Sequence, residues 1–415
     1  MNKPPKYSII IPTYNGISYL PTCVQTITSQ DFNDYELIIS DDHSTDGTNE
    51  YLLGLTHSQI KIIYPPDSLS MTEHWEWALS HATGEWQIFV GQDDGIQPYF
   101  FDLAEILTSK AEEIKLNCIM SSRAYFFWPG CESMYGDIAV GYVAENKTEI
   151  LSSLLEGSKA LLGAQDYFEL PQMYTTSLFN KKLLDKVRSK QNGRVFCCHP
   201  QDANLAAIVF SLEASYLMSY IPLGWVGTSP KSAGMAISNE IAATETKELK
   251  QVYLDKVKNS KLQYHKLAGD FSFGVNALYF WQALLMTEAL QKKWIKKKLK
   301  SSLFKHLMFS RIFYTKIFCR KKIKNSFDIS KYKKLLSLND CNYLVNLALL
   351  VVVIVITFPF SIIKRFINRV KKFFSTKTVK IHIKWPEDEN MSMLKASRMT
   401  MSAYLAITKK NKDRT

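Results

Sequence analysis

Tyr7-Ser8-Ile9-Ile10-Ile11-Pro12-Thr13-Tyr14-Asn15 is the first of three stretches that decide the fold. The second is Leu37-Ile38-Ile39-Ser40-Asp41-Asp42-His43-Ser44-Thr45-Asp46-Gly47-Thr48, and the third is Trp86-Gln87-Ile88-Phe89-Val90-Gly91-Gln92-Asp93-Asp94-Gly95. Each is a short apolar run that stops abruptly in polar, acidic or turn residues. Such a run reads as a strand buried on both faces. In an open α/β sheet, ligands bind in the crevice beyond the carboxyl ends of the strands. Three strands ending in this way would bring Tyr14, Asp41-Asp42 and Asp93-Asp94 to one crevice.

The intervening sequence fits that frame. Helices are expected over 17–30, from Asp46, over 71–81 and from Pro98 to about 113, with further strands at 59–64 and 117–121. This alternation predicts an α/β fold with a mostly parallel sheet and helices on both faces. His74-Trp75-Glu76-Trp77 is expected to pack its helix on the sheet. Beyond 123 the pattern loosens. His199-Pro200-Gln201-Asp202 leads into an apolar helix, Gly224–Asn239 reads as a mobile Gly/Ser-rich loop, and 240–290 reads as helical.

Taken together, the Pro-x-Tyr-Asn turn, the Asp-Asp-x-Ser-x-Asp turn and the acidic motif resemble the family 2 glycosyltransferases, which have the GT-A fold. The resemblance covers roughly residues 6–225. It implies inverting transfer of a sugar from a nucleotide diphosphate sugar, a UDP-sugar by family habit, to a saccharide acceptor. By the same resemblance Pro12 and Tyr14 wall the base, Asp42 accepts a hydrogen bond from base or ribose, and Asp93 faces the ribose or shares a metal. Asp94 is the expected ligand of Mg2+ or Mn2+, and Asp202 the general base. His43 stands where the family has a small residue and is given no role. The family's Glu-Asp pair reads Gln201-Asp202 here. Processive members carry a Gln-x-x-Arg-Trp-like motif. No Arg-Trp pair occurs in this chain, so one addition per acceptor is expected.

Each of these residues also has a structural reading. Asp93-Asp94 could be an acidic turn before a helix, and Asp42–Asp46 an Asx turn with a cap. Asp202 could be an acid stabilised by a helix N-terminus. That placement lowers a carboxyl pKa, whereas a base working near neutrality needs it raised. A sugar nucleotidyltransferase is the alternative enzyme, but Thr13-Tyr14-Asn15-Gly16 lacks the Gly-rich, basic phosphate loop it would need. A non-catalytic, membrane-bound binding or scaffold protein is the other alternative.

Charge divides the chain. Residues 1–291 hold 21 Lys/Arg against 33 Asp/Glu, and residues 292–415 hold 30 against 6. Within 292–334, Leu303, Phe304, Leu307, Met308, Ile312, Phe313, Ile317 and Phe318 form an apolar stripe on a basic helix, the pattern of an interfacial membrane helix. Tyr343–Ile363 is uncharged and, as a helix, about one hydrocarbon thickness long. The basic cluster Lys364, Arg365, Arg369, Lys371 and Lys372 follows it, against the positive-inside tendency if the segment spans once.

The expected organisation is a catalytic domain over 1–225 and a loop with helical extension over 226–291. A basic amphipathic region follows over 292–340, then a membrane-associated segment over 341–363 and a basic tail over 364–415. This places the chain at the cytoplasmic face of the cell membrane. Its expected partners are an anionic membrane surface and a lipid-linked saccharide for a bacterial surface polysaccharide, with no nucleic acid. A chain ending near Gln291 is expected to stay soluble. No signal peptide is apparent. The seven cysteines, an odd number without a Cys-x-x-Cys pair, read as reduced thiols.

Overall fold

Strand β1 (Tyr7–Thr13) runs between β2 (Tyr35–Asp41) and β4 (Trp86–Phe89), parallel to both, and β3 (Ile60–Ile63) extends the sheet beyond β2. Ile9, Ile10, Ile11, Leu37, Ile38, Ile39, Ile88 and Phe89 are all fully buried. Burial on both faces is why these strands are continuous apolar runs rather than alternating ones. The computed structural model describes residues 3–132, 136–162, 164–232, 251–252, 255–262, 276–318, 333–334, 336–337, 339–349, 351, 378–385 and 391–412.

Helices α1 (Leu20–Thr28), α2 (Thr48–Leu53), α3 (Met71–Ser80) and α4 (Phe100–Glu113) alternate with these strands. Ser70 caps α3 by accepting from the Glu73 amide, which fixes where that helix begins. Trp75 of α3 stacks on Phe89 at 4.2 Å between ring centroids, and Glu76 accepts from the amides of Val195 and Phe196. The helix is thus packed on the sheet, as its sequence indicated.

The sheet is mixed rather than mostly parallel. Its order is β3-β2-β1-β4-β10-β6-β11-β9, with β6 (Cys118–Ser121), β9 (Thr148–Ser152), β10 (Ser177–Asn180) and β11 (Ser215–Ser219). Strand β10 enters antiparallel between β4 and β6, and β9 closes the edge antiparallel to β11. A second sheet has the order β13-β8-β7-β12-β5, with β5 (Gly95–Ile96), β7 (Ala124–Phe127), β8 (Ile138–Ala144), β12 (Gly224–Thr228) and β13 (Val379–Lys384). Only its β7–β12 pair is parallel. The architecture is α/β and GT-A-like, with helices α5 (Ser153–Leu161), α6 (Lys181–Lys190) and α7 (Gln201–Leu212) completing the layers.

Two expectations about the second half are corrected. Gly224–Thr228 is a strand, not a mobile loop, and residues 233–239 lie outside the described residues. Residues 364–415 are not simply a tail. Strand β13 pairs with β8 along its whole length, and α11 (Met393–Lys412) packs on the core that β1 and β2 build. Met393, Ala396, Thr400 and Tyr404 are buried there, and the Tyr404 ring stacks on Tyr99 at 4.1 Å.

Between β12 and β13, α8 (Asn276–Met286), α9 (Lys293–Leu299) and α10 (Ser302–Phe318) build a separate apolar cluster with α5 and α7. This modifies the interfacial-helix expectation. Met308 and Phe309 are fully buried, with Phe309 edge-on to Trp281, while Leu303 is 65% exposed. Part of the predicted stripe therefore faces protein; the side chains of Ile312, Phe313, Ile317 and Phe318 lie outside what is described. No helix among the described residues is long and apolar enough to cross a membrane. Most of Tyr343–Ile363, residue 350 and everything from 352, is outside them, as are residues 364–377.

Candidate active site

The turns after β1 and β2 are tied to each other. Asn15, at φ 49°, accepts from the Thr45 amide and donates its own amide to Ser44 Oγ at 2.8 Å. Gly16 N donates to Thr48 Oγ1 at 3.0 Å. Asp41 is spent on Ser44, and Asp46 on Thr48 and the Ile17 amide. The Asx-type turn is therefore real, and it leaves Asp42, itself buried, to bond residues outside the turn. Asp42 accepts from the Leu69 amide at 2.9 Å and from Lys256 Nζ at 2.6 Å. The same ammonium lies 4.4 Å from the centroid of the Tyr14 ring. Gln92 joins the third turn to the first: its Oε1 accepts from Thr13 Oγ1 at 2.6 Å and from Tyr14 N at 3.0 Å. Pro12 and Tyr14, both partly buried, stand at this junction. His43 is exposed at φ 61°.

The acidic pair divides into two environments. Asp94 is fully buried. Its carboxylate accepts from Gly91 N at 2.9 Å, Thr175 Oγ1 at 2.7 Å and Gly227 N at 2.6 Å, and also from the Tyr174 hydroxyl. Gly91 N and Thr175 Oγ1 bond Oδ2 and Gly227 N bonds Oδ1, so both oxygens are engaged. Burial, and then the neighbouring Asp93 charge, raise the Asp94 pKa. The enclosure needs glycine: a Cβ on Gly227 would fall 1.7 Å from the Asp93 carbonyl oxygen, and one on Gly91 2.5 Å from the Tyr174 hydroxyl. Asp93 retains 9% exposure, and its Oδ2 accepts from Ser229 Oγ at 2.7 Å and from Ser232 Oγ.

Through these bonds Asp94 clamps β12 and the 174–175 turn to the end of β4. Of the pair, Asp93 keeps what little exposure there is. Among the described residues no group of three or more His, Cys, Asp or Glu side chains is placed to hold a metal. A Mg2+ ion bound through one carboxylate and substrate phosphates does not need such a group.

Asp202 lies in the first turn of α7, one residue beyond its start and two beyond the cis His199-Pro200 bond. Its Oδ2 accepts from the Tyr167 hydroxyl at 3.0 Å and its Oδ1 from Ala203 N at 2.8 Å. Burial raises its pKa despite those hydrogen bonds. The helix N-terminus and the base requirement pull in opposite directions, and burial decides between them. Tyr174 connects this group to the acidic turn: it donates to Asp94, and its own pKa is pushed up by burial first and then by the charges of Asp94, Asp93 and Asp202. Gln201, in place of the family's first acid, sits 3.3 Å from Thr72 Oγ1.

Tyr174, Thr175, Ser229, Ser232, Gly227 and Lys256 were not found from the sequence. Only the Ser-rich composition near 229–232 pointed toward any of them.

Residues 8–148 match the family described as Glycosyl transferase family 2. Over this part the chain is similar to the family 2 glycosyltransferases. Over 94 residues it is 33% identical to a PGL/p-HBAD biosynthesis glycosyltransferase of Mycobacterium tuberculosis, covering 22% of this chain and 37% of that one. Over 98 residues it is 32% identical to the GalNAc(5)-diNAcBac-PP-undecaprenol beta-1,3-glucosyltransferase of Campylobacter jejuni, covering 22% of this chain and 30% of that one. The chain thus spans about a third of the length of these curated relatives, 37% and 30%. Among solved structures, S. aureus TarS 1-349 in complex with UDP-GlcNAc aligns over 81% of this chain and 93% of that one, at 15% identity and a TM-score of 0.42.

Proposed function

We propose that the protein transfers a single sugar, with inversion, from a nucleotide diphosphate sugar to a saccharide acceptor. The observation that carries the proposal is the convergence of Tyr14, Asp42 and Asp93 at the carboxyl ends of three adjacent parallel strands, within the residues that match the family. Tyr14 and Asp42 hold the base and ribose. Asp93, positioned by Ser229 and Ser232, would hold Mg2+ or Mn2+, and that ion would supply Lewis-acid neutralisation of the leaving diphosphate. Asp202 takes the proton from the acceptor hydroxyl. Incubating the full chain with a panel of nucleotide sugars, metal and acceptor, and assaying released nucleotide, tests the reading. Release that is unaffected by EDTA would remove the metal from it.

Asp202→Asn is expected to lower kcat by roughly 10²–10⁴-fold, the usual size of a general-base contribution, with donor affinity unchanged. A base works only when deprotonated, so kcat is expected to fall as pH drops through the Asp202 pKa. Because that pKa is raised, the acidic limb of the kcat profile should lie above about 3.9, the ordinary Asp value. A limb at or below that value would place the base elsewhere.

The acceptor we propose is lipid-linked, serving a bacterial surface polysaccharide such as an O-antigen or capsule, with the enzyme at the cytoplasmic face of the membrane. Two observations support this. Trp294, Leu303, Leu344, Val345 and Val351 are exposed in the same region as the lysines of 292–300, and basic residues near an anionic leaflet contribute about 1 kcal/mol each. The Campylobacter relative carries an undecaprenol-linked saccharide in its name. Flotation with vesicles of phosphatidylglycerol, compared with phosphatidylcholine alone, tests the membrane part. Equal binding to both would remove the anionic surface.

A further inference from the structure

Lys256 reaches the base subsite from residues 255–262, well outside the family match. Its ammonium is 2.6 Å from Asp42 Oδ2 and 4.4 Å from the Tyr14 ring centroid. These are the two groups assigned to the base. The segment is held by more than this one side chain. Val257 and Leu262 are buried, Ser260 Oγ lies 3.3 Å from both Ser70 Oγ and His199 Nε2, and Lys261 N donates to Glu73 at 3.2 Å.

An ammonium has three N–H donors and no acceptor, and an ionised carboxylate accepts only. One donor of Lys256 is spent on Asp42, and its side chain keeps 25% exposure. Asp42 takes Leu69 N on Oδ1, and Ser68 Oγ and Lys256 on Oδ2. That leaves acceptor capacity on Oδ1 of a side chain that is 3% exposed beneath the ammonium. The subsite therefore pairs an obligate acceptor with an obligate donor, next to an aromatic ring.

We propose that Asp42 and Lys256 together select the base of the donor, favouring one with an N–H next to a carbonyl. This rests on the reading that the site binds a nucleotide sugar. Uracil offers N3–H beside C4=O, thymine the same pair, and guanine N1–H beside C6=O. Cytosine and adenine present an unprotonated ring nitrogen beside an amino group. That edge sets a lone pair against the carboxylate and N–H groups against the ammonium. Neither charged partner can reverse its role, so the wrong base leaves both unsatisfied.

The test is calorimetric titration of UDP, GDP, CDP and ADP, with Mg2+, into the full chain and into Lys256→Met and Lys256→Arg. The wild type is expected to bind UDP or GDP at least about tenfold tighter than CDP and ADP, the scale of one charge-assisted hydrogen bond. Lys256→Met should lose that margin by weakening the favoured nucleotide, with CDP little changed, and Lys256→Arg should retain it. Equal or tighter binding of UDP and GDP by Lys256→Met would overturn the proposal, because the ammonium would then only fill the subsite. A wild-type preference for CDP or ADP would overturn it too, while leaving nucleotide binding intact. Failure of the wild type to bind any of the four would bring down the glycosyltransferase reading itself, and this inference with it.

Discussion

Asp94→Ala is expected to unfold the domain, whereas its neighbour Asp93→Asn is expected to leave it folded and inactive. Removing the Asp94 carboxylate, itself fully buried, leaves Gly91 N, Gly227 N and Thr175 Oγ1 without their acceptor. Each buried donor left unsatisfied costs about 1–3 kcal/mol, and domains are typically stable by only about 5–15 kcal/mol. The sum approaches the whole stability of the fold. Asp93→Asn keeps an oxygen for Ser229 and Ser232 while losing the charge. Its melting temperature should stay within a few degrees of wild type, and nucleotide release should fall by on the order of 10²-fold or more. Calorimetric melting and the release assay separate the two. An Asp94→Ala protein that melts like wild type would show that the clamp is not structural.

The second large effect is expected from truncation. Ending the chain near Gln291 should yield aggregated protein, not the soluble catalytic core that the basic composition of the C-terminal region indicated. The cut removes β13 from β8 and uncovers the face that α11 protects. It also strands Trp225 Nε1, which donates to Ser397 at 2.9 Å, and Gln97 Oε1, which accepts from Thr400 at 2.7 Å. Fully burying one large apolar side chain stabilises by about 1.5–3 kcal/mol, and Met393 and Tyr404 are both lost with these polar contacts. Met393→Asp in the full chain offers an independent check. It places an unpaired charge at a fully buried position, which is expected to cost several kcal/mol. A soluble, monomeric truncated protein with a cooperative melt would show that β13 and α11 are dispensable.

The strands that bear the site were legible because their signal is local. Ile9-Ile10-Ile11 and Leu37-Ile38-Ile39 are buried on both faces, and a continuous apolar run says so without reference to anything else. Strand β10 was not legible: four residues, Ser177–Asn180, insert antiparallel between β4 and β6, and nothing local names those partners. The partners of the acidic pair were hidden for the same reason: Asp94 is bonded to Thr175 and Gly227, 81 and 133 residues away. The C-terminal elements are a different case. Val379, Ile381 and Ile383 alternate with Lys380, His382 and Lys384, and Met393, Ala396, Thr400 and Tyr404 recur at helical spacing. Both periods were present, but the density of Lys and Arg drew the reading toward a solvated tail.

The return of β13 and α11 to the domain that holds β1 also constrains parity. The chain leaves that domain after β12 and rejoins it at Val379. Both ends of the intervening excursion are therefore on one side of any bilayer the protein meets. Crossings between them must be even in number, so Tyr343–Ile363 cannot be the sole span. Lys371 and Lys372 lie only seven or eight residues ahead of β13. Fully extended, that length reaches at most about 25–29 Å, less than the roughly 30 Å of a hydrocarbon core. On chain length alone, these charges cannot reach the far side of a bilayer from β13. The basic cluster that opposed the positive-inside tendency for a single span no longer does so once the excursion must come back.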